Sequence, residues 1–208
     1  MNHPAPPAAT RRPLPPAMLD ALRAAFGERV STADAVRAHH GRDESPFDPQ
    51  LPDAVVFARS TDDVREVVSL CSLYSVPLIP YGAGSSLEGH LLAVRGGVSL
   101  DLSEMNRVLS INAEDLTVTV EPGITRKALN EALRDTGLFF PIDPGADASI
   151  GGVTATRASR TNAVRYGTTR ENGPGPTAGP AAGSVVKTRS RARPSPARTD
   201  PTRLVVGD

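Results

Sequence analysis

The hydrophobic pattern of residues 54–79 predicts a strand, a helix and a second strand. Residues 54–58 form an unbroken apolar run, which is typical of a short buried strand. Ser60 then stands three residues before Asp63, an approximate capping box, and apolar residues follow at helical spacing: Val64, Val67, Val68 and Cys71. A second apolar run covers 76–79. This β–α–β order predicts parallel neighbouring strands, and the end of such a unit is a common place for a nucleotide.

Alternating patterns continue downstream and complete a mixed α and β chain. The predicted strands are 97–102, 107–111 and 116–120, with a turn over 112–115. A helix over 125–136 is predicted to stop at Gly137, and its buried side is predicted to hold Ala128, Leu129, Ala132 and Leu133. At the other end, residues 1–16 are rich in Pro and Ala and predict disorder before a helix over 19–26.

The strand at 76–79 runs directly into a turn rich in glycine and serine. Its small residues are Gly82, Ala83, Gly84, Ser85, Ser86 and Gly89. Glycine permits positive φ and close backbone approach, and successive N–H groups and hydroxyls can face an anion. The pattern indicates pyrophosphate recognition without a metal. An ordinary tight turn is the alternative that this loop leaves open by itself.

A second segment, 143–168, also looks unlike a packed core. Small side chains and hydroxyls fill it, so it leaves room for a large flat group against the backbone. A plain surface loop has the same composition. The order of the residues, rather than their composition, decides between the two.

In order and spacing, these segments resemble the flavoprotein family that includes cytochrome-linked D-lactate dehydrogenase and the D subunit of glycolate oxidase. The resemblance covers about residues 40–172, and its matching stretches are 40–45, 52–64, 80–90, 120–123 and 166–172. It implies an α+β fold, a PCMH-type FAD-binding domain of the vanillyl-alcohol-oxidase class with two α/β subdomains. It also implies oxidation of a D-2-hydroxy acid to a 2-oxo acid, with a quinone or cytochrome as electron acceptor.

The resemblance further implies which residues hold FAD, without a covalent bond. In the first loop they are Pro80, Gly82, Ala83, Gly84, Ser85, Ser86, Leu87 and Gly89, around the pyrophosphate. Along the diphosphate and isoalloxazine they are Pro144, Gly145, Ala146, Ser149, Gly151, Gly152, Ala155, Thr156, Ser159 and Thr161. Arg160 stands where the family pattern has glycine, and we expect it to weaken FAD binding. No catalytic residue and no metal ligand is assigned.

The same resemblance divides the chain into three parts. Residues 1–16 are the disordered N-terminus, 17–172 the FAD-binding part, and 173–208 a tail rich in Pro, Gly and Arg. Prolines in this tail stand where the family has a hydrophobic strand, so we expect disorder there. The family's cap domain, with its substrate-facing histidines, is expected to be absent. The chain is therefore predicted to be an incomplete or inactive form of the enzyme.

Charge, cysteine and histidine content limit the partners and the environment that the sequence predicts. The chain has 23 basic and 23 acidic residues, and the basic tail lacks the interleaved aromatics of nucleic-acid binders, so no nucleic-acid partner is predicted. The single Cys71, on an apolar helix face, is predicted to be a buried unreactive thiol. His3, His39, His40 and His90 are predicted to be exposed or locally bonded. Without an apolar span, the prediction is a cytoplasmic protein.

Three functions stay open at this point. The first is a flavoenzyme in which FAD takes a hydride equivalent from a D-2-hydroxy acid. The second is a module that holds FAD but has no substrate site. The third is a remnant with neither property.

Overall fold

The computed structural model describes residues 11–158 and 162–166, together with short strands at 177–178 and 186–187. The helices are α1 (Pro16–Phe26), α2 (Asp34–His40), α3 (Thr61–Tyr74), α4 (Arg126–Leu133), α5 (Ile150–Ala155) and α6 (Ala163–Tyr166). The strands are β1 (Val30–Ser31), β2 (Ala54–Phe57), β3 (Leu78–Tyr81), β4 (Val98–Asp101), β5 (Val108–Asn112), β6 (Thr117–Val120), β7 (Thr177–Ala178) and β8 (Val186–Lys187). Short 3₁₀ turns cover Gly27–Arg29 and Arg134–Thr136.

Four strands form the main sheet, in the order β1-β2-β4-β3. The predicted β–α–β unit is present and its strands are parallel, but the prediction that they are neighbours is wrong. The fully buried β4 lies between β2 and β3 and pairs with both. Pro80 is therefore on an edge strand, where its missing N–H costs no ladder hydrogen bond. The last residues of the three parallel strands, Phe57, Asp101 and Tyr81, lie in register.

Helices α1 and α3 pack on this sheet and form the larger core. Its buried members are Met18, Leu22, Phe26, Val56, Ala58, Val67, Cys71, Val98, Leu100 and Met105. Burial raises the pKa of the Cys71 thiol to about 12, so the prediction of a buried, unreactive cysteine is confirmed. Strand β3 begins two residues later than predicted because the Val76 N–H is engaged by the Cys71 carbonyl at the end of α3.

Helix α3 begins where the sequence predicts. The Ser60 hydroxyl accepts a hydrogen bond from the Asp63 N–H at 3.1 Å, which satisfies one of the free donors of the first turn. The Asp63 carboxylate in turn accepts from Arg29 at 2.5 Å and from the Arg59 N–H at 2.8 Å. Asp63 therefore ties the start of α3 to two earlier segments, the 3₁₀ turn at Arg29 and the connection after β2.

We expect Ser60→Ala to lower the free energy of unfolding by about 1 kcal/mol, because the helix loses its N-cap bond. Urea denaturation measures the change. Ser72→Ala, at an exposed position within α3, is the control and should leave stability nearly unchanged or slightly raised. Equal effects of the two substitutions would contradict a capping role for Ser60.

The hairpin β5–β6 and helix α4 form a second, smaller unit. Ile124, Leu129 and Leu133 make its core, and Val118 and Val120 pack against them. The prediction that Ala128 and Ala132 are buried is wrong. Only the side of α4 that faces the β5–β6 hairpin is buried, through Leu129 and Leu133, and this side is narrower than the full set of apolar residues in the helix. The predicted stop at Gly137 is confirmed, since this glycine has φ +72° after the 3₁₀ turn.

The two ends of the chain are described only in part. Arg11 donates to the Leu51 carbonyl and pairs with Asp53 at 2.6 Å, and α1 begins at Pro16, three residues earlier than predicted. Within the predicted tail, β7 and β8 form a short antiparallel pair. The rest of 173–208 lies outside the described residues, so the division into three parts stays a prediction. None of the described helices combines the length and apolar character needed to cross a bilayer.

Candidate functional site

The glycine-rich loop begins at the carboxyl end of β3. Gly84 and Gly89 have φ of +73° and +77°, as their residue type predicts, whereas Gly82 is not in the left-handed region. A Cβ on Gly84 would also lie 2.7 Å from the Tyr81 hydroxyl. On the far side of the loop, the Ser86 carbonyl accepts a hydrogen bond from the Glu44 N–H at 2.9 Å. The loop is therefore held against β3 and against the segment after α2.

Gly82 brings the loop into contact with the second predicted segment. A Cβ at this position would overlap the Ser149 hydroxyl and lie 3.2 Å from the Ser149 Cβ. Ser149 is buried, and its hydroxyl accepts from the Gly152 N–H at 3.3 Å, which caps α5. Glycine is needed at 82 because of this close approach, and not because of its φ.

A third segment, between β6 and α4, completes the arrangement. The Pro122 carbonyl accepts from the Gly151 N–H at 2.8 Å, and the Ile124 carbonyl accepts from the Ile150 N–H at 2.8 Å. Gly123 donates to the Met105 carbonyl, also at 2.8 Å. Backbone hydrogen bonds thus fix the segment after β4, the segment before α4 and the start of α5 relative to one another.

These segments enclose a cleft of about 430 Å³. Its lining residues are Gly82, Ala83, Ser103, Asn106, Gly123, Thr125 and Ala128. The glycines and alanines leave space, while two hydroxyls and an amide supply hydrogen-bonding groups without charge. None of the lining residues is titratable, so the cleft is suited to binding rather than to acid–base chemistry.

Of the predicted site residues that the structure describes, two line this cleft, Gly82 and Ala83. Ser149 and Gly151 stand behind it, through their contacts with Gly82 and Pro122. Five lining residues were missed: Ser103, Asn106, Gly123, Thr125 and Ala128. Ser103 and Asn106 could have been predicted, because they follow β4. The carboxyl ends of parallel strands meet at one edge of the sheet, where ligands commonly bind.

The remaining predicted residues lie around the cleft or away from it. Leu87 is 70% exposed, and Pro80, Gly145, Ala146, Ala155 and Thr156 are also at the surface. Pro144, Gly84, Ser85, Ser86 and Gly89 are half-buried, and Gly152 is exposed at the start of α5. Ser159 and Thr161, with Arg160, lie outside the described residues.

The histidine prediction is incomplete for His40, which has the local hydrogen bond, at 2.8 Å to the Val36 carbonyl, and a distant one besides. This side chain is buried, and its Nε2 lies 2.7 Å from the Asp101 carboxylate, 61 positions away in sequence. Burial by itself raises the pKa of Asp101, but hydrogen bonds from His40 and Ser103 outweigh it and hold that pKa below its usual range. His90, which is exposed, contacts the Ser86 hydroxyl at 2.9 Å, a local bond as predicted.

A second carboxylate is held charged beside the cleft. Hydrogen bonds from Arg107, opposed by burial, lower the pKa of Glu121, which directly precedes the Pro122–Gly123 turn. Its two oxygens accept from the Arg107 guanidinium at 2.7 and 3.1 Å and from the Arg107 N–H at 2.9 Å. This bidentate pair fixes the end of β6 where the backbone enters the cleft.

The comparison with protein families assigns this architecture. A family model described as an FAD binding domain matches residues 52–189, which include the glycine-rich loop, the Gly123 turn and the start of α5. The chain belongs to this FAD-binding family. FAD is therefore the cofactor of the domain, and the fold and cofactor that the resemblance implied are confirmed.

Curated relatives are similar over most of the chain. It is 56% identical over 145 residues, 70% of its length, to a probable mitochondrial D-lactate dehydrogenase of Danio rerio. It is 45% identical over 93% of its length to a mitochondrial D-lactate dehydrogenase [cytochrome] of Arabidopsis thaliana. Glycolate oxidase subunit GlcD of Bacillus subtilis is 33% identical over 86% of the chain. These matches cover only 29%, 35% and 39% of the relatives, so the chain spans about a third of their length.

Solved structures show the same fold. Alkyldihydroxyacetonephosphate synthase superposes with a TM-score of 0.81 over 95% of this chain and 38% of its own, at 23% identity. A 4-ethylphenol oxidase from Gulosibacter chungangensis gives 0.78 over 91% of this chain and 39% of its own, at 26% identity. The FAD-binding fold of this family is thus retained in the described part of the chain.

The residues of the cleft fit an FAD group. Gly82, Ala83, Gly123 and Ala128 leave the backbone accessible, and a side chain at Gly82 or Gly123 would close the space between segments. Thr125 accepts from the Ala128 N–H at 3.2 Å, so its own hydroxyl proton is free to be donated. Small residues with neutral donors are what a negatively charged pyrophosphate requires.

Proposed function

We propose that the chain holds FAD at the cleft between the β3 loop, the segment after β4 and the Gly123 turn, with the start of α5 behind it. We further propose that the protein of which it is part oxidises a D-2-hydroxy acid to a 2-oxo acid. The close approach of Gly82 to Ser149 carries the first proposal, because it joins two segments that the sequence marks separately as cofactor-binding. The names of the relatives, D-lactate dehydrogenase, glycolate oxidase and D-2-hydroxyglutarate dehydrogenase, support the second.

The chain's own residues have separate tasks in this proposal. The loop 82–86 supplies N–H donors to the pyrophosphate, helped by the hydroxyls of Ser103 and Thr125 at the cleft. Ser149 and Gly151 hold the second segment in place through the bonds described above. When bound, FAD supplies the acceptor for a hydride equivalent, which the side chains of this cleft cannot provide. A quinone or cytochrome would then be the electron acceptor, a proposal that the name of the D-lactate dehydrogenase [cytochrome] relative supports.

A binding module without a substrate site is the second candidate. It is favoured by the absence of any acid or base among the residues that line the cleft. Reduction of the bound flavin by D-lactate in the protein of which the chain is part, followed by flavin absorbance, separates the two. Bleaching supports the enzyme, whereas a flavin that stays oxidised supports the module. The cytoplasmic location stays a prediction, since relatives are named mitochondrial.

Fluorescence titration with FAD tests the proposed site. We expect the chain to bind FAD, and we expect Ala83→Asp to weaken binding by about tenfold or more, or about 1.4 kcal/mol, because a carboxylate would face the phosphates. Ala113→Asp is the matched control, in the exposed turn between β5 and β6. Failure of the parent chain to bind, or equal losses in the two variants, would contradict the proposed site.

A further inference from the structure

A buried histidine–carboxylate pair lies at the carboxyl edge of the main sheet. His40, the last residue of α2, is 3% exposed, and Asp101, the last residue of β4, is 4% exposed. Their Nε2 and Oδ2 atoms are 2.7 Å apart. Neither residue is among those that line the cleft described above, and neither belongs to the glycine-rich segments.

Each polar atom of this pair has a hydrogen-bond partner. His40 Nδ1 lies 2.8 Å from the Val36 carbonyl, which can only accept, so this nitrogen donates. The Nε2 atom of the same ring lies 2.7 Å from the Asp101 carboxylate. The other oxygen of Asp101 accepts from the Ser103 N–H at 2.7 Å. Both ring nitrogens and both carboxylate oxygens of this buried pair thus have a hydrogen-bond partner.

One side of the pair leads to the wall of the cleft after β4. The Ser103 N–H that Asp101 binds belongs to a residue lining the cleft. The neighbouring Leu102 N–H donates to the Tyr81 carbonyl at 3.0 Å, and the Ala58 N–H donates to the Asp101 carbonyl at 2.9 Å. Asp101 therefore fixes the backbone where it turns from β4 into the cleft.

The other side leads to the glycine-rich loop. The His40 ring lies against the Tyr81 ring, with centroids 4.3 Å apart. The Tyr81 hydroxyl contacts His39 Nε2 at 3.0 Å and occupies the space where a Cβ on Gly84 would lie. The position of His40 thus sets the position of Tyr81, and Tyr81 sets how closely the loop approaches β3.

We propose that the His40–Asp101 pair is a positioning element that holds the β3 loop and the segment after β4 in the spacing that FAD binding requires. This inference rests on the proposed FAD site. An ordinary anchor of α2 on the sheet would stabilise the protein without a selective effect on the cleft. The two roles predict different results when the pair is disrupted. A positioning role predicts that segments 82–84 and 102–103 shift or loosen, whereas an anchoring role predicts no selective effect on them.

Two substitutions distinguish the effect of the hydrogen bonds of the pair from the effect of the charge on Asp101. His40→Phe keeps a ring against Tyr81 and removes both donors. Asp101→Asn keeps every hydrogen bond, because the amide nitrogen can donate to Nε2 of a neutral His40 while the amide oxygen accepts from the Ser103 N–H. Asp63→Asn is the matched control, a half-buried carboxylate at the start of α3 that also accepts from an arginine and from a backbone N–H.

The measurements are FAD affinity and amide hydrogen exchange of Leu102 and Ser103 in the FAD-free protein, both under conditions where circular dichroism shows folded chain. We expect His40→Phe to weaken FAD binding by about tenfold or more and to speed both amides by about tenfold or more. Asp101→Asn should stay within about threefold of the parent in both measurements. Asp63→Asn should affect neither.

The inference is overturned if His40→Phe matches the parent, or if Asp63→Asn speeds the same amides. It is also overturned if Asp101→Asn loses affinity or protection. Should His40→Phe not fold, Asp101→Ala, which removes the acceptor of the Ser103 N–H and the partner of His40, takes its place with the same expected losses and the same overturning result. If the parent itself binds no FAD, the proposed site fails, and the exchange rates of Leu102 and Ser103 still decide whether the pair positions this segment.

Discussion

Gly123→Ala is expected to lower the free energy of unfolding by more than about 3 kcal/mol. A Cβ at this position would overlap the Leu102 carbonyl oxygen and lie 2.8 Å from the Leu102 carbonyl carbon and 2.9 Å from the Met105 carbonyl oxygen. All three are backbone atoms, so no side-chain rotation relieves the overlap. The hydrogen bond from Gly123 to Met105 also prevents the two segments from separating without loss.

Urea denaturation of the FAD-free protein measures this effect, with Gly137→Ala as the control. Gly137 has φ +72° and no atom within 4 Å of an added Cβ, so its substitution costs only backbone strain, about 1–2 kcal/mol. The φ of Gly123 is unexceptional, and its cost arises from the overlap alone. If Gly123→Ala lowers stability no more than Gly137→Ala does, the backbone at Gly123 does not pack as closely against Leu102 and Met105 as the structure shows.

The sequence predicted local elements well because their signals are local. Helix α3 was found from its cap and its apolar spacing, and Ser60 indeed accepts from the Asp63 N–H. The place of β4 between β2 and β3 was missed. Strand pairing depends on contacts between distant segments, and a buried central strand has the same apolar pattern as a strand elsewhere in a sheet.

The site was predicted in part for a similar reason. Glycines mark positions where the backbone has unusual φ or close neighbours, so Gly82 and Gly84 were correctly singled out as backbone requirements. Ser103, Asn106 and Thr125 carry no such mark, since hydroxyls and amides are common in connections. The His40–Asp101 pair spans 61 positions and follows no periodicity, so only the packed structure could bring it to light.

The contact between Gly82 and Ser149 gives a second large expected effect. Gly82→Ala should displace the Ser149 hydroxyl, which removes the α5 cap and adds packing strain, for a loss of about 2–3 kcal/mol in stability. Ser149→Ala alone should cost about 1 kcal/mol, through the cap. The double variant should cost less than the sum, with a coupling of about 1–2 kcal/mol, because the overlapping hydroxyl is gone.

Denaturation of the four proteins in this cycle measures the coupling, and a cycle of Gly82→Ala with Ser60→Ala is the control. Ser60 is also an N-cap, on α3, and its hydroxyl is not among the atoms that a Cβ at Gly82 would meet, so those two changes should add within about 0.5 kcal/mol. In Gly82→Ala/Ser149→Ala the Cβ atoms of the two alanines would still lie about 3.2 Å apart, so recovery is expected to be incomplete. FAD affinity should follow the same order, with Gly82→Ala the weakest, since the hydroxyl that it displaces lies between the loop and the start of α5. Additivity in the Gly82–Ser149 cycle would mean that the two glycine-rich segments do not meet there, and the cleft would lose the contact on which its assignment rests.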